Sequence, residues 1–309
     1  MGTRKLWLGV HPINWIGEDV LEHGDWYTAE QVLDEIQSLG FHGIEVVRKL
    51  PRDVAGLQSV LRPRGLHVVS QWKSVYFSRA DCADKDARRS ELEAYKRHAD
   101  RLSQLGSKVV STAELGGSVL DASQPGATVT PLDDDGWARL IEGLHAAGEI
   151  CQSFGMKLVY HHHAGTVVER MEEIDRLMES TDPNLVYLLY DTGHAYNAGI
   201  NPLDLFQKYA HRVGYIHLKD VREEVYRAER TKGSPFKERI RRGVFTTPGH
   251  GCIDFRPILE SICQSGFTGW LMIEGEQDPA LYNPYEFVGH SKRYLEALIQ
   301  SIGGEFLYD

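Results

Sequence analysis

The chain has 309 residues, 42% apolar and 25% charged, which is enough to bury a large globular core. Asp and Glu (44) outnumber Lys and Arg (34), and the formal net charge of −10 argues against nucleic-acid backbones and anionic membranes as partners. No apolar run nears the about 18 residues that span a bilayer, "MGTRKLWLGV" lacks a signal-peptide h-region, and the four cysteines form no CxxC pair, so a cytoplasmic protein with reduced thiols is expected.

In chain order, short apolar runs alternate with longer amphipathic ones. The first predicted strand, "LWLGVHP", is followed by the helix "TAEQVLDEIQSLG", which opens on a Thr28…Gln31 capping box and stops at Gly40. Strand "GIEVVR" precedes helix "DVAGLQSVLRPRG", and strand "LHVVSQW" precedes helix "ELEAYKRHADRLSQLG". Strand "SKVVSTAEL" leads to "DDGWARLIEGLHAAGEICQSFG", and "MKLVYHHH" to "VVERMEEIDRLMES". "LVYLLYD" pairs with helix "PLDLFQKYA", "VGYIHLKD" with "DFRPILESICQSG", and "GWLMIEGE" with "NPYEFVGHSKRYLEALIQS". The strands are continuously apolar, as expected of parallel strands covered on both faces. Eight such β-α units predict a (β/α)8 TIM barrel, a single domain over residues 1–309. An open doubly wound sheet is the runner-up, disfavoured because no Gly-rich phosphate loop follows any strand. Two long connections, 115–132 and 222–253, leave C-terminal strand ends and are expected to cover a site there. Within the second, the basic run "KERIRR" reads as a solvated loop or helix face.

Polar residues gather at the predicted strand ends: Glu45, Glu114, His161–His163, Asp191 with His194, His217 with Lys219, and Glu274 with Glu276. In a barrel these ends converge on one mouth, where buried carboxylates and imidazoles need a cation or each other. Taken one at a time, Asp191 also reads as a helix N-cap and His217 as a satisfied core histidine. Mixed oxygen and nitrogen donors without thiolate suit Mn²⁺, Co²⁺, Fe²⁺ or Zn²⁺, with Mn²⁺ or Co²⁺ preferred, rather than Ca²⁺. Side chains alternate along a strand, so His161 and His163 should share one face and His162 the other.

"HPINW", "RKLPRD", "YHHHAGTVVE", "YDTGHAYNAG", "HLKDVR", "GVFTTPGHGCIDF" and "GWLMIEGEQDPA" together resemble the inosose dehydratases, a family of the xylose-isomerase-like barrel superfamily. These stretches span residues 11 to 280. The DxxH…HxKD…E pattern is shared across the superfamily, whereas "YHHHAGT", "EGEQDP" and "PGHGCIDF" are more specific to the dehydratases. The resemblance implies a divalent metal held by Asp191, His217 and Glu274. Where the superfamily has a strand-five Glu, this chain has His161, which leaves the fourth ligand open between His161 and Glu114. His194 matches a substrate contact of relatives, and Lys219 and Arg222 lie where relatives place charged substrate contacts.

The implied reaction removes water from 2-keto-myo-inositol, a small cyclic polyol ketone, to give a trihydroxycyclohexane-dione. It needs a base and an acid. Glu276, Glu45 or Glu114 would supply the base, and His163, His194 or Lys219 the acid. Arg48, Lys49 and Lys219 are candidates for binding ring hydroxyls or the carbonyl. Trp15, Trp72 and Tyr196 could cover the ring faces, although barrel core is the preferred place for Trp72. The nearest rival is a ketose epimerase or isomerase using the same metal site. A DNA endonuclease of the same fold is disfavoured by the charge, and a non-catalytic sugar-binding barrel would not need an intact ligand set. Self-association is common among small acidic barrels, but the sequence locates no interface.

Overall fold

The computed structural model describes residues 5–120 and 128–308. Part of the 115–132 connection, residues 121–127, therefore lies outside the described residues. The strands are β1 (Leu6–Val10), β2 (Gly43–Glu45), β3 (His67–Ser70), β4 (Trp72–Val75), β5 (Val109–Glu114), β6 (Lys157–His161), β7 (Val186–Asp191), β8 (Val213–Val221), β9 (Phe245–Thr246) and β10 (Gly269–Glu274). The order β3-β2-β1-β10-β8-β7-β6-β5-β4 is parallel throughout, with helices between the strands. The predicted third strand is one extended stretch that changes partners at Gln71: β3 bonds to β2 and β4 to β5, which closes the barrel. Across this change of partner, Ser107 Oγ donates to Val69 O at 2.5 Å and Ser111 N–H donates to Ser70 Oγ at 3.1 Å.

Inward-facing Val69, Val109, Val159, Leu189, Tyr215 and Met272 pack into one cluster inside the barrel. A much larger apolar layer lies between strands and helices. Side chains two positions further along a strand face the same way. The positions two beyond Val159, Leu189, Tyr215 and Met272 are His161, Asp191, His217 and Glu274. The barrel floor is thus apolar and the next layer, at the C-terminal mouth, is ionisable. Gly9 and Gly43 are the small members of the floor: a Cβ on Gly9 would come within 2.6 Å of Met272 Sδ, and one on Gly43 within 2.8 Å of Val69 Cγ2. Two positions beyond them stand His11 and Glu45, at the same mouth.

The 222–253 connection folds over this end. It contains helices Glu223–Lys232 and Phe236–Arg241, and β9 pairs antiparallel with the end of β8. The buried Asp220 carboxylate accepts backbone N–H groups from Val221, Gly249, Gly251 and Ile253, which turns "PGHGCI" back toward the barrel. "KERIRR" forms a helix face whose Arg241 and Arg242 bond to Glu22 and Glu238. Among the described residues, no helix is long and apolar enough to cross a membrane.

Candidate metal centre and active site

A cavity of about 530 Å³ opens at the mouth, lined among others by His161, His163, His217, Glu274 and Glu276. His161, Asp191 and His217 each bring a ligand atom within 4.8 Å of the other two. The side chains aim their polar atoms at one another. His161 Nδ1 lies 3.0 Å from His162 O; only an N–H bonds a carbonyl, so Nε2 of the neutral ring keeps its lone pair, 3.9 Å from Asp191 Oδ2. His217 Nε2 lies 2.7 Å from Glu45 Oε1, which leaves Nδ1 turned toward Asp191 Oδ2 at 3.6 Å and Glu274 Oε2 at 2.5 Å.

Asp191 Oδ2, His217 Nδ1 and Glu274 Oε2 are nevertheless buried without a hydrogen-bond partner. The 2.5 Å approach of His217 to Glu274 lacks hydrogen-bond geometry. His161, Asp191 and His217 lie close enough to share a divalent cation, and Glu274, which touches His217 but falls outside that triad, would complete a set of two imidazoles and two carboxylates suited to an ion of intermediate hardness.

Supporting contacts fix these groups. Asp191 divides its oxygens: Oδ1 accepts the His194 N–H at 2.8 Å and caps helix Thr192–Asn197, while Oδ2 faces the cavity. The N-cap reading of this residue therefore holds, and the second oxygen is left for a cation. Glu45 accepts from His217 and from the Tyr215 hydroxyl at 2.8 Å, with His11 Nε2 3.7 Å away; this is the carboxylate–histidine pairing that orients a metal ligand. Burial would raise the Glu45 carboxyl, but His11 and His217 outweigh it and hold it low. Burial opposes charge on His217, yet Glu274 and Glu45 raise its pKa well above the usual range, so a cation binding at Nδ1 would do so by displacing a proton.

On the opposite side, Lys219 is fully buried, with Nζ 2.5 Å from Glu276 Oε2, 3.0 Å from Glu274 Oε1 and 2.9 Å from His194 Nε2. Burial disfavours its charge, but Glu274, Glu276 and Asp191 keep it protonated. His194 Nδ1 also receives the Ala164 N–H at 3.2 Å; a neutral imidazole accepts at one nitrogen only, so these two contacts are alternatives. Burial holds His194 and His163 neutral, and the rings of Phe236 and Phe245 pack against them. Glu276 adopts φ +40°, a left-handed backbone uncommon for a side-chain-bearing residue and frequent at functional sites.

His161 and His163 share the cavity as strand alternation predicts, while His162 Nε2 receives the Asp191 N–H at 3.3 Å. Other sequence candidates are placed elsewhere. Glu114 follows inward-facing Val109 and Ser111 with the opposite parity, so it points out of the barrel. It accepts from Ser78 Oγ, Ser78 N–H and Gly116 N–H, and burial pushes its pKa up to about 7. Arg48 borders the cavity, but its guanidinium donates to Gly17 O, Leu21 O and Asp25 Oδ1, and its N–H to Glu18. Lys49 donates to the Asp25 and Tyr27 carbonyls, so both residues pin the 17–28 loop rather than face the cavity. Arg222 holds Gly243, Phe245, Thr246 and Gln277 and stacks on Tyr282. Trp15 is core, donating to Glu35 at 2.6 Å, whereas Trp72 lines the cavity with its ring 5.4 Å from that of His163, the reverse of the expectation for Trp72. Tyr196 lines a separate depression with Cys252.

Sequence reasoning did not single out His11 or Asp19. His11 sits at a strand end within "HPINW" and was open to the same strand-end argument. Asp19 lies in a loop, and only folding brings it to the cavity, 3.9 Å from His163 Nε2.

Fold and site together define a barrel enzyme with an imidazole–carboxylate centre at the C-terminal mouth. The model of the xylose isomerase-like TIM barrel family matches residues 33–298. An inosose dehydratase of Geobacillus kaustophilus is 42% identical over 298 residues, covering 96% of this chain and 95% of its own. The chain belongs to the inosose dehydratase family within the xylose isomerase-like barrels. Among solved structures, an IolI protein with a bound zinc atom superposes with a TM-score of 0.69 at 16% identity, over 96% of this chain and 98% of its own. An L-ribulose 3-epimerase superposes at 0.67 and 16% identity, over 97% and 95%; at such identity these two share the fold.

Proposed function

We propose that the protein is an inosose dehydratase, removing water from 2-keto-myo-inositol to give a trihydroxycyclohexane-dione in inositol catabolism in the cytoplasm. The observation that carries this reading is 42% identity to a dehydratase over 96% of the chain, against 16% to an epimerase of the same fold. His161, Asp191, His217 and Glu274 would hold a divalent ion, Mn²⁺ or Co²⁺. When bound, such an ion supplies Lewis-acid polarisation of the ketone.

The chain's own groups do the rest. Glu45 and Tyr215 fix the His217 ring. Glu276, whose Oε2 lies 2.5 Å from Lys219 Nζ, removes the proton on the carbon next to the ketone. His163, His194 and Lys219 surround Glu276 and orient ring hydroxyls, and Trp72 offers an apolar face to the ring. Phe236 and Phe245 exclude water from the histidines.

Incubating Mn²⁺- or Co²⁺-loaded protein with 2-keto-myo-inositol and following the dione by ultraviolet absorbance tests the reading. Dione formation is expected. An inert result, with C3 epimerisation of ketohexoses by the same sample, would transfer the assignment to an epimerase.

A further inference from the structure

A cyclic polyol ketone carries a hydroxyl on every ring carbon but one, and a site that tells it from its relatives must bond those hydroxyls. Most polar side chains around the cavity are already engaged. Glu18 accepts the Arg48 N–H at 2.8 Å, Gln71 accepts from Arg101, Trp72 donates to Ser74 at 2.8 Å, and Glu45 holds His217. Asp19 and His163 stand apart. His163 Nδ1 lies 2.9 Å from Ala164 O, so the ring nitrogen left for a ligand is Nε2. Asp19 Oδ2 lies 3.9 Å from that atom, beyond hydrogen-bond reach, and both side chains line the cavity.

Both groups are held in place before a ligand arrives. The His163 ring meets Trp72 and Phe236 edge to face, with centroids 5.4 and 5.5 Å away. Asp19 sits in a loop closed by Gly17 N–H to His23 O at 2.9 Å and His23 N–H to Val20 O at 3.0 Å. Arg48 fastens that loop at Gly17 O and Glu18. Groups fixed in this way lose little freedom on binding. The Asp19 side chain is only 19% exposed, so a ligand that fails to bond it leaves a polar group shut away from water. A hydroxyl donates and accepts, and a carboxyl oxygen accepts with or without a proton, so a ring hydroxyl suits this pair in any charge state. One ligand atom each of Asp19, His163 and Glu276 lies within 4.8 Å of the other two. A hydroxyl bonded to Asp19 and His163 therefore stands beside the Glu276 carboxyl group.

We propose that Asp19 is a specificity-determining residue: with His163 it reads a ring hydroxyl near the carbon that Glu276 deprotonates, and so separates the fully hydroxylated ketone from ketones that lack that hydroxyl. The inference rests on the dehydratase reading. The contact is made in the bound substrate as well as in the transition state, so losing it raises KM more than it lowers kcat. Discrimination comes from the ligand that lacks the hydroxyl, which leaves the carboxyl group and the imidazole without a partner.

The test uses metal-loaded, full-length protein, with the set of mono-deoxy inososes as competitors of inosose dehydration. In the parent, at least one deoxy ketone should bind about 10–100-fold more weakly than inosose. Asp19→Ala should weaken inosose itself by a similar factor and shrink the gap for that ketone to within about twofold, the scatter expected of independent sites, while the gaps at other ring positions persist. If Asp19→Ala melts early by circular dichroism, Asp19→Asn, which keeps an acceptor oxygen, is read in its place and should narrow the gap at the same ring position. Equal weakening of every ketone in a folded Asp19 variant would make the residue structural and overturn the proposal, as would gaps identical to those of the parent. A second ion per chain by elemental analysis, lost in Asp19→Ala, would make the trio with Glu276 a cation site and overturn it too. A parent that neither binds nor dehydrates inosose would instead remove the dehydratase reading, and the proposal with it.

Discussion

Asp191 divides its two oxygens, and this separates stability from the proposed ion binding. Oδ1 caps the helix Thr192–Asn197, and Oδ2 is the orphaned acceptor. Asn caps a helix about as well as Asp. Asp191→Asn should therefore melt within about 1 kcal/mol of the parent, while its bound-metal stoichiometry falls and kcat/KM drops at least about 100-fold, the upper range for merely disturbing a ligand's supporting partner. Elemental analysis and a thermal melt decide it: a variant that keeps its ion would remove Asp191 from the ligand set. Sequence presented cap and ligand as alternatives because a residue type and its spacing do not say which oxygen goes where. Asp19 was less legible still. A lone carboxylate in a loop has no periodicity to read, and its neighbours at the cavity, His163 and Glu276, are far away in the chain.

The elements themselves were largely readable. The Thr28…Gln31 capping box is present as two reciprocal hydrogen bonds, and most strands fall within the quoted apolar runs, because both features are local; β4 runs past its run to Val75, β8 past its run to Val221, and β9 lies outside them all. The break at Gln71 was not readable, since it is set by which neighbour each half of residues 67–75 bonds. Glu114 was misjudged at this scale: a position at a strand end is not enough, and parity sends this carboxylate outward to fasten the turn at Ser78. Its pKa of about 7 has a stability consequence. A carboxyl raised by folding contributes stability that is fully present below its unfolded range, near 4.5, and is lost as pH rises through about 7. Between pH 5 and 8 the parent should thus lose roughly 3 kcal/mol relative to Glu114→Gln, whose amide does not titrate. Urea melts of the two proteins at both pH values measure this; a stability difference that does not move with pH would mean Glu114 is ionised in the fold throughout.

Across the whole molecule, the candidate centre joins β6, β7, β8 and β10, half of the barrel wall, so an ion there binds the folded state alone. At a free concentration 100-fold above Kd it should add about 2.7 kcal/mol, or about 4 °C in Tm for a chain of 309 residues. Dialysis against EDTA should lower Tm by that amount and Mn²⁺ or Co²⁺ should restore it, while Mg²⁺, which prefers all-oxygen sites, should restore less. A melt indifferent to chelator and to added ion would count against the centre. The seam between β3 and β4 matters on this scale too. Serine groups bridge it, so every long strand has its flanks occupied, and β9, attached outside the ring, is two residues long and buried among the described residues. Among the described residues, a second chain therefore finds no long bare backbone ladder in the barrel wall onto which it could add a strand.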